Sequence, residues 1–108
     1  MSDLPIPVLI WCPFPDAESA KTAARALVEA GLAACANIMP GMQSIYQWQG
    51  AMQEASETGV LFKTNARLHE KCIARLRDLH PYAEPAILGW ECPVSLPDTI
   101  EWLAGLTG

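Results

Sequence analysis

Eight consecutive residues, HPYAEPAI at 80–87, hold an imidazole, a phenol, a carboxylate and two prolines. His80 can ligate a metal through a neutral ring nitrogen, or serve structurally at a helix end, where the dipole favours it. Glu84 is a hard oxygen ligand or a solvated acid, and Tyr82 reads as a core or interface ring. Far upstream, Cys12 stands beside Trp11 as packing, or as a thiol suited to copper(I). Tyr46 and Trp48 lie two apart and so share one face of a strand, as an interface patch or a flat aromatic platform. Glu57 and Lys63 lie six apart, on one face of their strand but too distant to pair along it. Each needs a partner elsewhere, for instance across a subunit boundary. The seven glycines are dispersed, with no phosphate-binding loop, and no nucleophile carries a catalytic signature. No enzyme is therefore expected.

The elements that must position these groups are legible in the apolar pattern. Val8–Cys12 is a short buried strand closed by Pro13 and Pro15. Asp16 caps a helix whose apolar stripe is Ala20, Ala23, Ala24, Leu27 and Val28, ending at Gly31. A second strand runs over 33–39, is interrupted at Pro40-Gly41 as by a bulge, and continues over 42–48. Gln49-Gly50 turns the chain into a third strand over 51–64. Asn65 caps a second helix carrying Leu68, Cys72, Leu76 and Leu79, which Pro81 stops. A fourth strand is expected over 86–94, and a short terminal helix from Pro97 or Asp98 carries Ile100, Trp102 and Leu103. This order, βαββαβ, is the ferredoxin-like arrangement: an α+β domain with an antiparallel sheet, two helices on one face, and a long hairpin between strands two and three. One domain spans 1–108. In that topology the end of strand one, the end of helix two and the start of strand four share one end of the sheet, so Cys12 and His80 are expected to converge.

Composition bounds the setting. Hydrophobic residues make up 51% of 108, oily for so small a chain, and part of that surface is expected in an oligomer interface. The net charge of −5, without a basic cluster, argues against nucleic acid. No apolar run reaches the length of a membrane span. The acidic start and four cysteines lacking a C-x-x-C pair argue for a reducing, cytoplasmic setting and against a zinc cluster. Cys35 and Cys72 fit apolar patterns and read as core packing.

Six blocks, in order, carry a resemblance: CPFPD (12–16), ALVEAGLAACAN (26–37), PGMQSIYQWQG (40–50), ETGVLFKT (57–64), HPY (80–82) and EWL (101–103). From Val8 to Trp102 the chain resembles the divalent-cation tolerance (CutA) family. The resemblance implies a cytoplasmic homotrimer whose hairpins reach across to neighbours, with Tyr46, Trp48, Glu57, Lys63 and Tyr82 at inter-subunit clefts. It implies no required cofactor, and weak binding of copper or another divalent cation with Cys12 and His80 as ligands. One position departs: the family usually has an acid directly after the second proline of HPYxxP, and here that residue is Ala86, with Glu84 as the nearest acid. Two other classes stay open: a small-ligand signalling module using the clefts, and an enzyme using Glu57, Lys63 or His80 there.

Overall fold

The computed structural model describes residues 3–108. Strand β1 (Pro7–Phe14) is followed by helix α1 (Ala17–Glu29), strands β2 (Cys35–Trp48) and β3 (Ala51–Asn65), helix α2 (His69–Leu79), strand β4 (Leu88–Glu91) and helix α3 (Pro97–Ala104). The strands form one antiparallel sheet in the order β2-β3-β1-β4, the ferredoxin-like topology. Alternation along β1 and β3 splits the sheet into two unlike faces. Val8, Ile10, Cys12 and Phe14 of β1, with Val60 and Phe62 of β3, are fully buried beneath α1 and α2. The stripe of α1 that meets them is Ala20, Ala23, Ala24 and Leu27, small enough for the helix to lie close on the sheet. Leu9, Trp11, Pro13, Leu61 and Lys63 point to the other face, and all are only half-buried.

Local chemistry sets the boundaries. The Asp16 carboxylate accepts from the Ser19 amide at 2.7 Å, and that bond holds its pKa below the usual value. Gly31, at φ 71°, makes the left-handed turn that ends α1. Gln49 (φ 51°) and Gly50 (φ 79°) form the two-residue turn with both φ positive that matches the twist of a hairpin.

Pro40-Gly41 do form a bulge: Met39 pairs with Gly59, yet Met42 pairs with Glu57, so β2 uses one extra residue. The bulge lies opposite the last rung of β1, Phe14 with Thr58. Beyond it β2 and β3 continue as a two-stranded ribbon from Met42–Glu57 to Trp48–Ala51. The molecule is accordingly elongated, 50 × 26 × 22 Å.

Five expectations are corrected. Strand β1 runs through Pro13 to Phe14, because β4 reaches only as far as Trp11 and leaves Pro13 at a locally free edge, where a missing N–H removes no ladder bond. Strand β4 covers four residues rather than nine, since β1 offers it only Val8–Trp11. Val28 is 41% exposed and leaves the apolar stripe of α1 at Leu27. Asn65 ends β3 and does not cap α2 directly. Its Oδ1 accepts from the Arg67 and Leu68 amides in the turn before the helix, and its Nδ2 donates to the Leu103 carbonyl at 2.8 Å, tying α3 down. Cys72 is in the core as expected, whereas Cys35 is half-exposed on β2, opposite Lys63.

Candidate functional site

The polar groups gather where β1, the root of the ribbon and the α2–β4 connection meet. Pro81 forces His80 out of helical geometry, to φ −77°, ψ 136°, while its amide still caps α2 by donating to the Leu76 carbonyl. The imidazole therefore turns onto the end of β1. Its Nε2 lies 2.7 Å from the Pro13 carbonyl oxygen, and its Nδ1 accepts from the Tyr82 amide at 3.1 Å. A carbonyl can only accept and an amide N–H can only donate, so these partners assign a neutral ring protonated at Nε2. The ring stacks on Phe14, centroids 4.4 Å apart and 21° between planes, and is 7% exposed.

Two residues on, the Tyr82 ring tilts against His80 at 5.0 Å and its hydroxyl donates to Glu57 Oε2 at 2.9 Å. Desolvation, then the bond to Glu57 and the negative charge around it, push the phenol up to about 12. Cys12 is wholly buried on the helix-covered face, and burial, reinforced by Glu57, pushes its thiol up to about 12. Its Sγ faces the same Pro13 carbonyl at 3.9 Å, a long, weak contact. Thiol and imidazole thus converge as the topology predicts, but on a backbone oxygen.

Copper at Cys12 and His80 requires a thiolate and a nitrogen lone pair. Here the thiol is protonated and enclosed, and both ring nitrogens are already committed. Glu84 lies exposed in the connection, with no bond to the corner, and Ala86 offers no ligand. Among the described residues no group of three or more His, Cys, Asp or Glu side chains is placed to hold a metal. This arrangement does not fit a copper centre.

Of the groups expected at a cleft, one chain assembles only part. Glu57 and Tyr82 are joined; Tyr46 and Trp48 lie out on the ribbon, 43% and 51% exposed. Lys63 is half-buried on the helix-free face, opposite Leu9 and Cys35, six residues from Glu57 and so roughly 20 Å along β3. Two contributors escaped sequence reasoning. The Pro13 carbonyl carries no side-chain signal. Phe14 has one, the alternation with Cys12, but reading Pro13 as a stop cut it off.

Comparison with known proteins agrees with this architecture. The family described as CutA1 divalent ion tolerance protein matches residues 8–105. The divalent-cation tolerance protein CutA of Thermus thermophilus is 43% identical over 94 residues, covering 87% of this chain and 91% of that one. Its namesake from Pyrococcus horikoshii is 34% identical over 96 residues, covering 89% and 93%. The crystal structure of CutA1 from Oryza sativa superposes with a TM-score of 0.92 at 27% identity, covering 99% of this chain and 98% of that one. With a match that spans the whole sheet and both core helices, the chain belongs to the CutA1 divalent ion tolerance family.

Proposed function

We propose that the chain works as a cytoplasmic homotrimer that contributes to divalent-cation tolerance by binding cations weakly in clefts between its subunits. The observation that carries this is the uncovered ribbon. Ile45, Trp48 and Met52 are 67%, 51% and 65% exposed on it, and a two-stranded ribbon is marginal in water by itself. Leu88 and Trp90 are likewise exposed on the helix-free face of β4. Neighbouring copies would cover both surfaces and remove the open edges. Three copies is the number implied by the resemblance of the hairpin and HPY blocks.

The Glu57–Tyr82 corner stands where the ribbon leaves the sheet, beside any such neighbour. Glu57 offers hard carboxylate oxygen, which suits manganese, magnesium or zinc better than copper(I). A single carboxylate binds weakly, so the cleft depends on groups from the adjoining subunit. Four unpaired cysteines suit a reducing compartment. Sedimentation equilibrium at micromolar concentration should return three chains. Calorimetric titration with manganese and zinc should show weak uptake that Glu57→Gln abolishes. A monomeric mass, or uptake unchanged in Glu57→Gln, overturns the reading.

A further inference from the structure

We infer that Cys12 and His80 form a closed latch on the Pro13 carbonyl instead of a metal-binding pair, and that His80 is the positioning residue that delivers the Tyr82 phenol to Glu57. The inference rests on geometry in a single subunit and does not depend on the cation reading above.

Each contact of His80 has a structural use. The bond from Nε2 holds α2's end against β1, in the gap that β4 leaves beyond Trp11. The stack on Phe14 fixes the plane of the ring. With the plane fixed, Nδ1 points at one backbone amide, that of Tyr82, and so orients the residue whose hydroxyl reaches β3. Three elements distant in sequence are thereby joined: β1 at Pro13, the α2–β4 connection at residues 80–82, and the ribbon root at Glu57. Cys12 completes the floor beneath. It is 0% exposed, and its sulfur lies 3.9 Å from the same carbonyl that the imidazole holds. For the pair to take copper, the ring would have to surrender one backbone bond and the thiol would have to lose its proton inside an apolar core.

Glutamine separates the two roles of His80. Its amide can donate to Pro13 and accept from Tyr82, but it is a poor copper ligand. Copper(I), buffered by a competing chelator, should bind native protein, Cys12→Ala and His80→Gln with affinities within twofold of one another, or fail to bind all three. A loss of tenfold or more in both variants would overturn the latch. Nitrogen-15 spectra of the native His80 ring should show a protonated Nε2 and an unprotonated Nδ1, unchanged by one equivalent of buffered copper(I); the opposite tautomer, or a copper-induced shift at either nitrogen, would overturn it. The positioning role needs its own readout. In a Tyr46→Phe background Tyr82 is the single tyrosine, and its resonance Raman doublet reports whether the phenol donates to a carboxylate. That signature should persist in His80→Gln and change to the solvent-exposed pattern in His80→Ala. Persistence in His80→Ala, or its loss in His80→Gln with the fold intact, would refute positioning.

Discussion

Gly59 is where the helix-free face is most tightly built, and replacing it by alanine tests the packing. A Cβ placed there would meet Trp11 Cη2 at 2.3 Å, with two more indole carbons at 3.0 and 3.1 Å. Ordinary carbon contacts lie near 3.5–4.0 Å, so the indole must lift by more than about 1 Å. Gly59 has no positive φ, so alanine incurs no backbone strain there. In an open site the same change would stabilise by about 0.4–1 kcal/mol, by restricting the unfolded chain. The clash reverses that sign. Overpacking costs about 1–3 kcal/mol, which leaves a net loss of roughly 1–2 kcal/mol for Gly59→Ala. Urea unfolding followed by circular dichroism should show a lower midpoint with an unchanged slope. The decisive arm is a double-mutant cycle with Trp11→Leu, which removes the indole. Against Trp11→Leu, adding Gly59→Ala should be neutral or slightly stabilising. An equal loss in both backgrounds would refute the clash and place the cost in the strand itself.

Asn65→Ala removes three hydrogen bonds at a buried junction and should cost about 3 kcal/mol, at about 1 kcal/mol per bond, measured by the same urea titration. Asn65→Asp keeps the two accepted bonds but sets an acceptor oxygen against the Leu103 carbonyl at a fully buried site, so it should cost no less than Asn65→Ala; a clearly smaller loss would show that the tie to α3 matters little. Trp48→Ala should cost about 3–5 kcal/mol if a neighbouring copy buries the ring, seen as dissociation or a concentration-dependent melting temperature; an unchanged, concentration-independent melt would exclude burial. The Cys12 thiol is raised from 9.0 to about 12 in the folded chain, so the unfolded chain releases its proton first. Its contribution is complete below pH 9 and is lost as pH rises from 9 towards 12. Cys12→Ala should flatten that part of the stability profile, and an identical profile would disprove the assignment.

Most of the sheet was legible because burial writes itself as alternation. Val8, Ile10 and Cys12, and Val60 and Phe62, fall on one face, and the alanine stripe of α1 matches it. The bulge and the hairpin turn were equally legible, since Pro40-Gly41 and Gln49-Gly50 are residues whose backbone preferences are strong. Strand β4 was not. Its extent is set by which residues of β1 remain free to pair, a tertiary fact that the apolar run from Ala86 to Val94 does not encode. The convergence of Cys12 and His80 followed from topology, but its meaning did not. Which atoms the imidazole faces depends on where Pro13 leaves its carbonyl, and a backbone oxygen has no letter in a sequence. Likewise Glu57 and Tyr82 are 25 residues apart, and only the folded corner joins them.

The two faces of the sheet divide the work. The helix-covered face is nearly finished within one chain: its core residues are fully enclosed and His80 is bonded at both nitrogens, while His69 Nε2, beside Gly89, is the buried side-chain polar atom without a partner among the described residues. The helix-free face and the ribbon are unfinished, with Lys63 lacking an acidic partner among the described residues and large apolar side chains open to water. A half-buried lysine on the face that carries Leu9 and Leu61 gains most from a carboxylate that arrives together with apolar cover. Glu57 stands at the ribbon root, bonded to Tyr82, and in its own chain it is about 20 Å from Lys63. In the proposed assembly, these uncovered residues are the ones that a neighbouring copy would meet. Cys12 and His80, complete without a neighbour, lie outside that surface.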